Sequence, residues 1–158
     1  MKPASVQTQD DFKRMASELN TLAIQARSVG LKFAYHNHNI EFRKWEDGRT
    51  TYEILMSETD PSIVKCEIDC GWADLAGHSP LSLFEQYAGR VRMLHIKDFM
   101  PVSGPVFALG GGKGLEWTEL GKGHMDYRTI LAAAPAAGVE HCFVEQDAIL
   151  EIHGSGSG

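Results

Sequence analysis

Four short apolar runs, each closing on a side chain able to hold a metal ion or a proton, constrain this chain more than anything else in it. They span residues 31–36, 63–69, 91–97 and 141–145, and each follows a stretch whose apolar spacing is helical. Runs this short, punctuated by glycine, aspartate and proline, predict buried strands. Strands that alternate with helices predict a parallel α/β sheet, because each parallel connection needs a crossover. In such folds the site lies at the carboxyl ends of the strands, which is where His36, Asp69, His95 and Glu145 fall.

The helical stretches carry ordinary start and stop signals. Asp10 is the predicted N-cap of a helix with the stripe Phe12, Met15, Leu19, Leu22, Ala23, Ala26 and Val29, and Gly30 ends it. A polar segment, 41–51, leads to a short helix over 52–58 that Asp60-Pro61 stops. Gly71-Trp72 turns the chain away from the second strand. Ser79-Pro80 opens a helix through Ala88, and Asp126 opens another that Pro135 is expected to kink or shorten. Between them lies a long loop, 98–125, of a size that is often functional. Its Gly110–Gly114 run is not a phosphate loop, because Lys113 is followed by Gly114 rather than Ser or Thr.

The 158 residues fit one domain, 1–153, with residues 154–158 a Gly/Ser linker or tag remnant outside the fold. A net charge of −6 offers no basic footprint for a nucleic-acid backbone, so the expected partner is a small carbohydrate and not a nucleic acid. No apolar run reaches the roughly 18 residues that a membrane span needs, and no signal-peptide core is visible, so no membrane partner is expected. The expected compartment is the cytoplasm, or the periplasm if a longer parent carries a signal peptide. Cys66, Cys70 and Cys142 lack the spacing of a redox or zinc motif and read as reduced core or near-core residues.

Strand parity gathers the chemistry. Asp69 shares a face with Lys65 and Glu67, His95 with Met93 and Lys97, and Glu145 with Phe143 and Asp147. Two carboxylates and an imidazole, completed by His36, His38 or Glu41, suit Mn²⁺, Mg²⁺, Co²⁺ or Zn²⁺ with positions open for substrate oxygens. Trp72, three residues after Asp69, is a candidate for stacking on a sugar face. His78, His124, His141 and His153 fall outside the pattern and read as surface residues.

The motifs His36-Asn37-His38, Ile68-Asp69-Cys70-Gly71-Trp72, Leu94-His95-Ile96-Lys97-Asp98, Glu119-Leu120-Gly121-Lys122-Gly123 and Val144-Glu145-Gln146-Asp147 occur in this order. Together they resemble the sugar phosphate isomerase/epimerase family of the xylose isomerase-like TIM-barrel superfamily, which is related to endonuclease IV. The resemblance runs from about Asp10 to Asp147 and covers only the C-terminal four strands of the eight that the family has. It implies half of a (βα)8 barrel, four parallel strands with flanking helices, completed by a homodimer or by a complementary half-barrel chain. It also implies a divalent ion held on successive strand ends, with Asp69 and His95 in the middle places and Glu145 last. Epimerases of the superfamily have a glutamate in the first place, which here falls to His36, Glu41 or His38.

The function implied is a metal-dependent isomerase or epimerase of a sugar, keto-sugar or sugar phosphate, working through an enediolate. Glu145 would be the base, His36, His38 and Glu41 compete for acid/base work on the opposite face, and Lys97 would steady the oxyanion. A keto-sugar lyase or hydratase would use the same enolate. A non-catalytic half-barrel is a third reading. An endonuclease IV-like phosphodiesterase fits poorly, since it calls for a richer zinc ligand set and a basic face. Unpaired strand edges and an apolar open face are expected of an isolated half.

Overall fold

In the computed structural model, which describes residues 8–108 and 114–146, the four apolar runs form one parallel sheet. Strands β1 (Phe33–His36), β2 (Val64–Asp69), β3 (Val91–Ile96) and β6 (His141–Val144) lie side by side in that order. Their register sets His36 beside Glu67, Asp69 beside His95 and His95 beside Phe143. Helix α1 (Gln9–Ser28) precedes β1, helices α2 (Thr51–Glu58), α4 (Pro80–Gln86) and α5 (Tyr127–Ala137) supply the crossovers, and α3 (Cys70–Leu75) follows β2 directly.

The core lies between the helices and one face of the sheet. Val64, Cys66 and Ile68 of β2 and Val91, Leu94 and Ile96 of β3 are buried there with Tyr52, Leu55, Leu83, Phe84 and Ile130. Alternation then sends Lys65, Glu67, Asp69, Met93 and His95 to the other face. The expectation of an apolar open face is therefore corrected: on the inner strands that face is largely polar, because it carries the side chains that build the site. Apolar exposure sits instead on the outer strand β6, where Phe143 and Val144 are 45% and 71% exposed. Cys142 shares that strand and is exposed, unlike the buried Cys66 and Cys70, so the near-core reading fails for it.

Local details depart from the sequence reading in three further places. Helix α1 is capped by Thr8 rather than Asp10, because Thr8 and Asp11 exchange hydrogen bonds as a capping box. Helix α4 ends at Gln86, two residues before Ala88. Pro135 does not break α5, since it lies in the last turn, and the helix ends at Gly138 with φ +92°. Within the long loop, β4 (Asp98–Phe99) and β5 (Trp117–Thr118) pair as a short antiparallel ribbon. The run 109–113 and residues 147–158, with Asp147 and His153, lie outside the described residues.

One buried cation ties the layers together. The Arg90 guanidinium donates to Met56 O at 2.6 Å and Val64 O at 2.9 Å, joining α2 to the start of β2. No helix among the described residues is long and apolar enough to cross a membrane.

Candidate metal centre

The end of β2 fixes the centre of the site. Asp69 is fully buried and caps α3, its Oδ1 accepting from the Trp72 N–H at 2.9 Å. Its backbone is gripped by Asn37, which accepts from Asp69 N–H at 3.1 Å and donates to Asp69 O at 3.3 Å. That side chain continues the β1–β2 ladder past His36. With Oδ1 committed to the helix, Oδ2 points into the cluster, 2.9 Å from Lys97 Nζ and 3.4 Å from His36 Nε2. Neither contact is aligned as a hydrogen bond, so Asp69 Oδ2 is a buried oxygen without a hydrogen-bond partner among the described residues.

Lys97 reaches the same point from just past β3. Its ammonium bridges Asp69 Oδ2 at 2.9 Å and Glu145 Oε2 at 3.0 Å, and its side chain is 1% exposed. Two neighbours fix it. Tyr127 brackets its backbone, its hydroxyl accepting from Lys97 N–H at 2.9 Å and donating to Lys97 O at 2.6 Å. Gly71 leaves room for its stem, since a Cβ there would stand 2.5 Å from Lys97 Cγ. Trp72, at 3% exposure, lies beneath the ammonium with its ring 5.2 Å from Nζ and meets Trp117 edge-on. The indole thus faces Lys97 and shows little surface to solvent.

His95 stands between two carboxylates, with Nδ1 2.6 Å from Glu145 Oε2 and Nε2 2.9 Å from Glu67 Oε1. Its ring meets that of His36 edge-on at 4.2 Å. Burial works against the charged form of His36, but the Asp69 carboxylate beside it, with Glu67 behind, prevails and raises its pKa. Burial likewise works against ionised Glu145, yet hydrogen bonds from His95 and Lys97 pull its carboxyl down to about 2. The Glu145 carboxyl therefore stays ionised well below the usual carboxylate range.

The remaining predicted residues border the cluster. Glu41 is 8% exposed and spends both oxygens on the turn after β1, accepting from the Tyr35 hydroxyl at 3.0 Å and His38 N–H at 3.1 Å. Burial, with Glu41 beside it, pushes the Tyr35 phenol far up, so it remains the donor. His38 is exposed, its ring 5.2 Å from that of His36 and 6.1 Å from that of Trp72. Of the other histidines, His124 pairs with Asp74 at 3.2 Å, and His78 stacks on Phe42 at 4.7 Å and is half-buried. His78 is thus less of a surface residue than expected.

Two residues that sequence reasoning did not select shape the site. Glu67 contacts His95, and its signal was the two-residue spacing from Asp69. Asp98, 2% exposed, accepts from the N–H groups of Phe99, Gly121, Gly123 and Met125 and folds the Leu120–Gly123 motif around itself. A Cβ at Gly123 would collide with the Asp98 carboxylate, so this glycine belongs to the wrap.

One donor atom each from His36, Asp69 and His95 lies within 4.8 Å of the others. With small side-chain movements such a set suits a divalent ion, whose bonds run about 2.0–2.3 Å. The buried Asp69 Oδ2, charged and without a directed hydrogen bond, is the observation that fits the group.

No family model matches the chain. An inosose dehydratase of Lacticaseibacillus casei is 32% identical over 151 residues, a match covering 89% of this chain and 49% of that protein. The chain spans about half the length of the curated relatives it matches. A sugar phosphate isomerase/epimerase from Parabacteroides distasonis superposes with a TM-score of 0.76 at 24% identity, covering 93% of this chain and 48% of that one. A xylose isomerase-like TIM-barrel protein from Mycobacterium smegmatis in complex with magnesium gives 0.65 at 16% identity, covering 94% and 48%. Four parallel strand and helix units that span about half of such neighbours define a half-length xylose isomerase-like TIM barrel. The chain shares this fold with sugar phosphate isomerase/epimerase structures, and its curated relatives are inosose dehydratases.

Proposed function

We propose that this half-barrel carries the metal end of a site that removes a proton from the carbon α to the carbonyl of a small keto-sugar, giving isomerisation or epimerisation. The observation that carries the reading is the convergence of His36, Asp69 and His95 at the strand ends around an oxygen without a hydrogen bond. His36, Asp69, His95 and Glu145 would hold the ion. Such an ion supplies Lewis-acid polarisation of adjacent carbonyl and hydroxyl oxygens.

The residues then divide the proton and the charge. Glu145, held near 2 by its neighbours, is a weak base while Lys97 donates to it. The Lys97 ammonium, fixed in place, is positioned to turn one N–H from Glu145 to a substrate oxygen as negative charge develops there. That exchange steadies the oxyanion and restores basicity to Glu145 at the moment a proton must be taken. Glu145 accepts and keeps the α-proton. His38, at the exposed rim, gives a proton of its own to the other face or to the neighbouring carbon, and proton exchange with solvent restores both groups. Glu41 acts at a distance, by holding the turn that carries His38.

A second reading is a dehydratase, favoured by the curated relatives, which are inosose dehydratases. The same α-proton goes to Glu145, and the β-hydroxyl leaves as water with a proton from His38. Either reaction needs the substrate enclosed. We propose that a second copy of the chain, or a complementary half-barrel, pairs with the outer strands β1 and β6 to close an eight-stranded barrel. Free cysteines support a cytoplasmic setting.

The test is incubation with a keto-sugar and inosose panel in deuterated water with Mn²⁺, followed by NMR. Deuterium at the α-carbon with retained mass composition marks isomerase or epimerase, and an unsaturated product marks dehydratase. No exchange by a closed, metal-loaded assembly would refute the proposal.

A further inference from the structure

We infer that Glu67 is a positioning residue of this site, acting through His95 to fix which ring nitrogen faces the ion. The contact stands on geometry alone, and its consequence for ion binding rests on the metal reading above. Glu67 lies in the middle of β2, with its side chain 18% exposed, on the face that carries Asp69. Inward positions of such barrels are ordinarily filled by branched apolar side chains. A largely buried carboxylate is costly there unless a partner compensates it. The partner is His95, with Nε2 2.9 Å from Glu67 Oε1.

The two carboxylates flanking the ring are not equivalent. Glu145 follows the outer strand β6, shares its charge with Lys97 and keeps 39% of its side chain exposed, so it is free to turn toward an ion. Glu67 sits on a strand flanked by β1 and β3, which fixes its backbone from both sides. An imidazole gives an ion one nitrogen and keeps its proton on the other, and the acceptor of that proton decides which. Glu67 keeps the proton on Nε2. Nδ1 is thereby left as the donor atom, on the side where Glu145 Oε2 lies at 2.6 Å.

The experiment uses ¹⁵N-labelled histidine spectra and calorimetry, with Zn²⁺ as the diamagnetic probe, on wild type, Glu67→Gln and Glu67→Leu. Gln keeps an acceptor oxygen without the charge, and Leu is the apolar type ordinary for the position. Wild type and Glu67→Gln should keep the His95 Nε2–H signal and shift Nδ1 on adding zinc. Glu67→Leu should lose that preference and bind zinc about 10- to 100-fold more weakly. Unchanged spectra and affinity in Glu67→Leu, or a zinc shift at Nε2 in wild type, would overturn the inference. If wild type bound no zinc the metal reading would fall, while the metal-free spectra would still decide: loss of the Nε2–H signal in Glu67→Leu supports the role, and its persistence refutes it. Should Glu67→Leu fail to fold, Glu67→Ala replaces it with the same readout: loss of the Nε2–H signal supports the role and its persistence refutes it.

Discussion

At the ends of the inner strands β2 and β3, Asp69 and Lys97 are almost fully covered, at 0% and 1% exposure, and Glu67 and His95 keep 18% and 21%, whereas at the outer strands His36 keeps 25% and Glu145 39%. The backbone follows the same division, since β2 alternates between buried and partly buried residues while all four residues of β6 are exposed. A strand with neighbours on both sides fixes its side chains before any ligand arrives. An outer strand leaves its side chains to be placed by the ligand or by whatever pairs with it. The inner pair therefore sets where charge accumulates, and the outer pair sets what may move.

Substitutions on the two kinds of strand should separate widely. Lys97→Met leaves the Asp69 carboxylate buried without its ammonium, and loss of one member of a buried pair costs about 3–5 kcal/mol. Denaturant unfolding checks this, and added Mn²⁺ should recover part of the loss by replacing the missing charge. Leu94→Ala, in the core face of β3, should cost about 3 kcal/mol through a cavity. A loss under about 1 kcal/mol in either variant would show that the inner strands are not the rigid part.

The outer strand should respond to acid rather than to truncation. Glu145 titrates near 2 in the folded chain, below the ordinary value of 4.5, so its contribution is complete above that value. It is lost as pH falls from 4.5 toward 2. At 39% exposure it is worth no more than about 1 kcal/mol after solvent screening. Comparing wild type with Glu145→Gln at pH 7 and pH 3 should show the difference shrinking in acid, and a constant difference would remove this assignment. Smallest of all, Val144→Ala should change stability by no more than about 0.5 kcal/mol, because its side chain is already largely in solvent.

The same contrast explains what was legible in the sequence. Apolar runs between helical stretches gave away the four strands, and their last residues gave Asp69, His95 and Glu145 because period-two spacing and strand ends are visible without a structure. Helix α3 was hidden: Cys70–Leu75 is too short to show a helical stripe, and its cap is Asp69, which the eye assigns to chemistry. The wrap of the long loop around Asp98 uses backbone N–H groups, which leave no residue-type signature beyond Gly121 and Gly123. Whether His36, His38 or Glu41 fell into the cluster depended on a turn that Glu41 itself closes. Glu67 lay in plain view on the face of Asp69, but its contact with His95 crosses strands, and cross-strand register is not written in either strand alone.

The central claim is that the strand ends form one divalent-cation site governed by the inner strands. Calorimetric titration of chelator-stripped protein with Mn²⁺, comparing wild type with His95→Ala, tests it most directly. The account predicts saturable binding in wild type and loss of high-affinity binding in a folded His95→Ala. Equal affinities in the two proteins, or no binding to folded wild type, would contradict it.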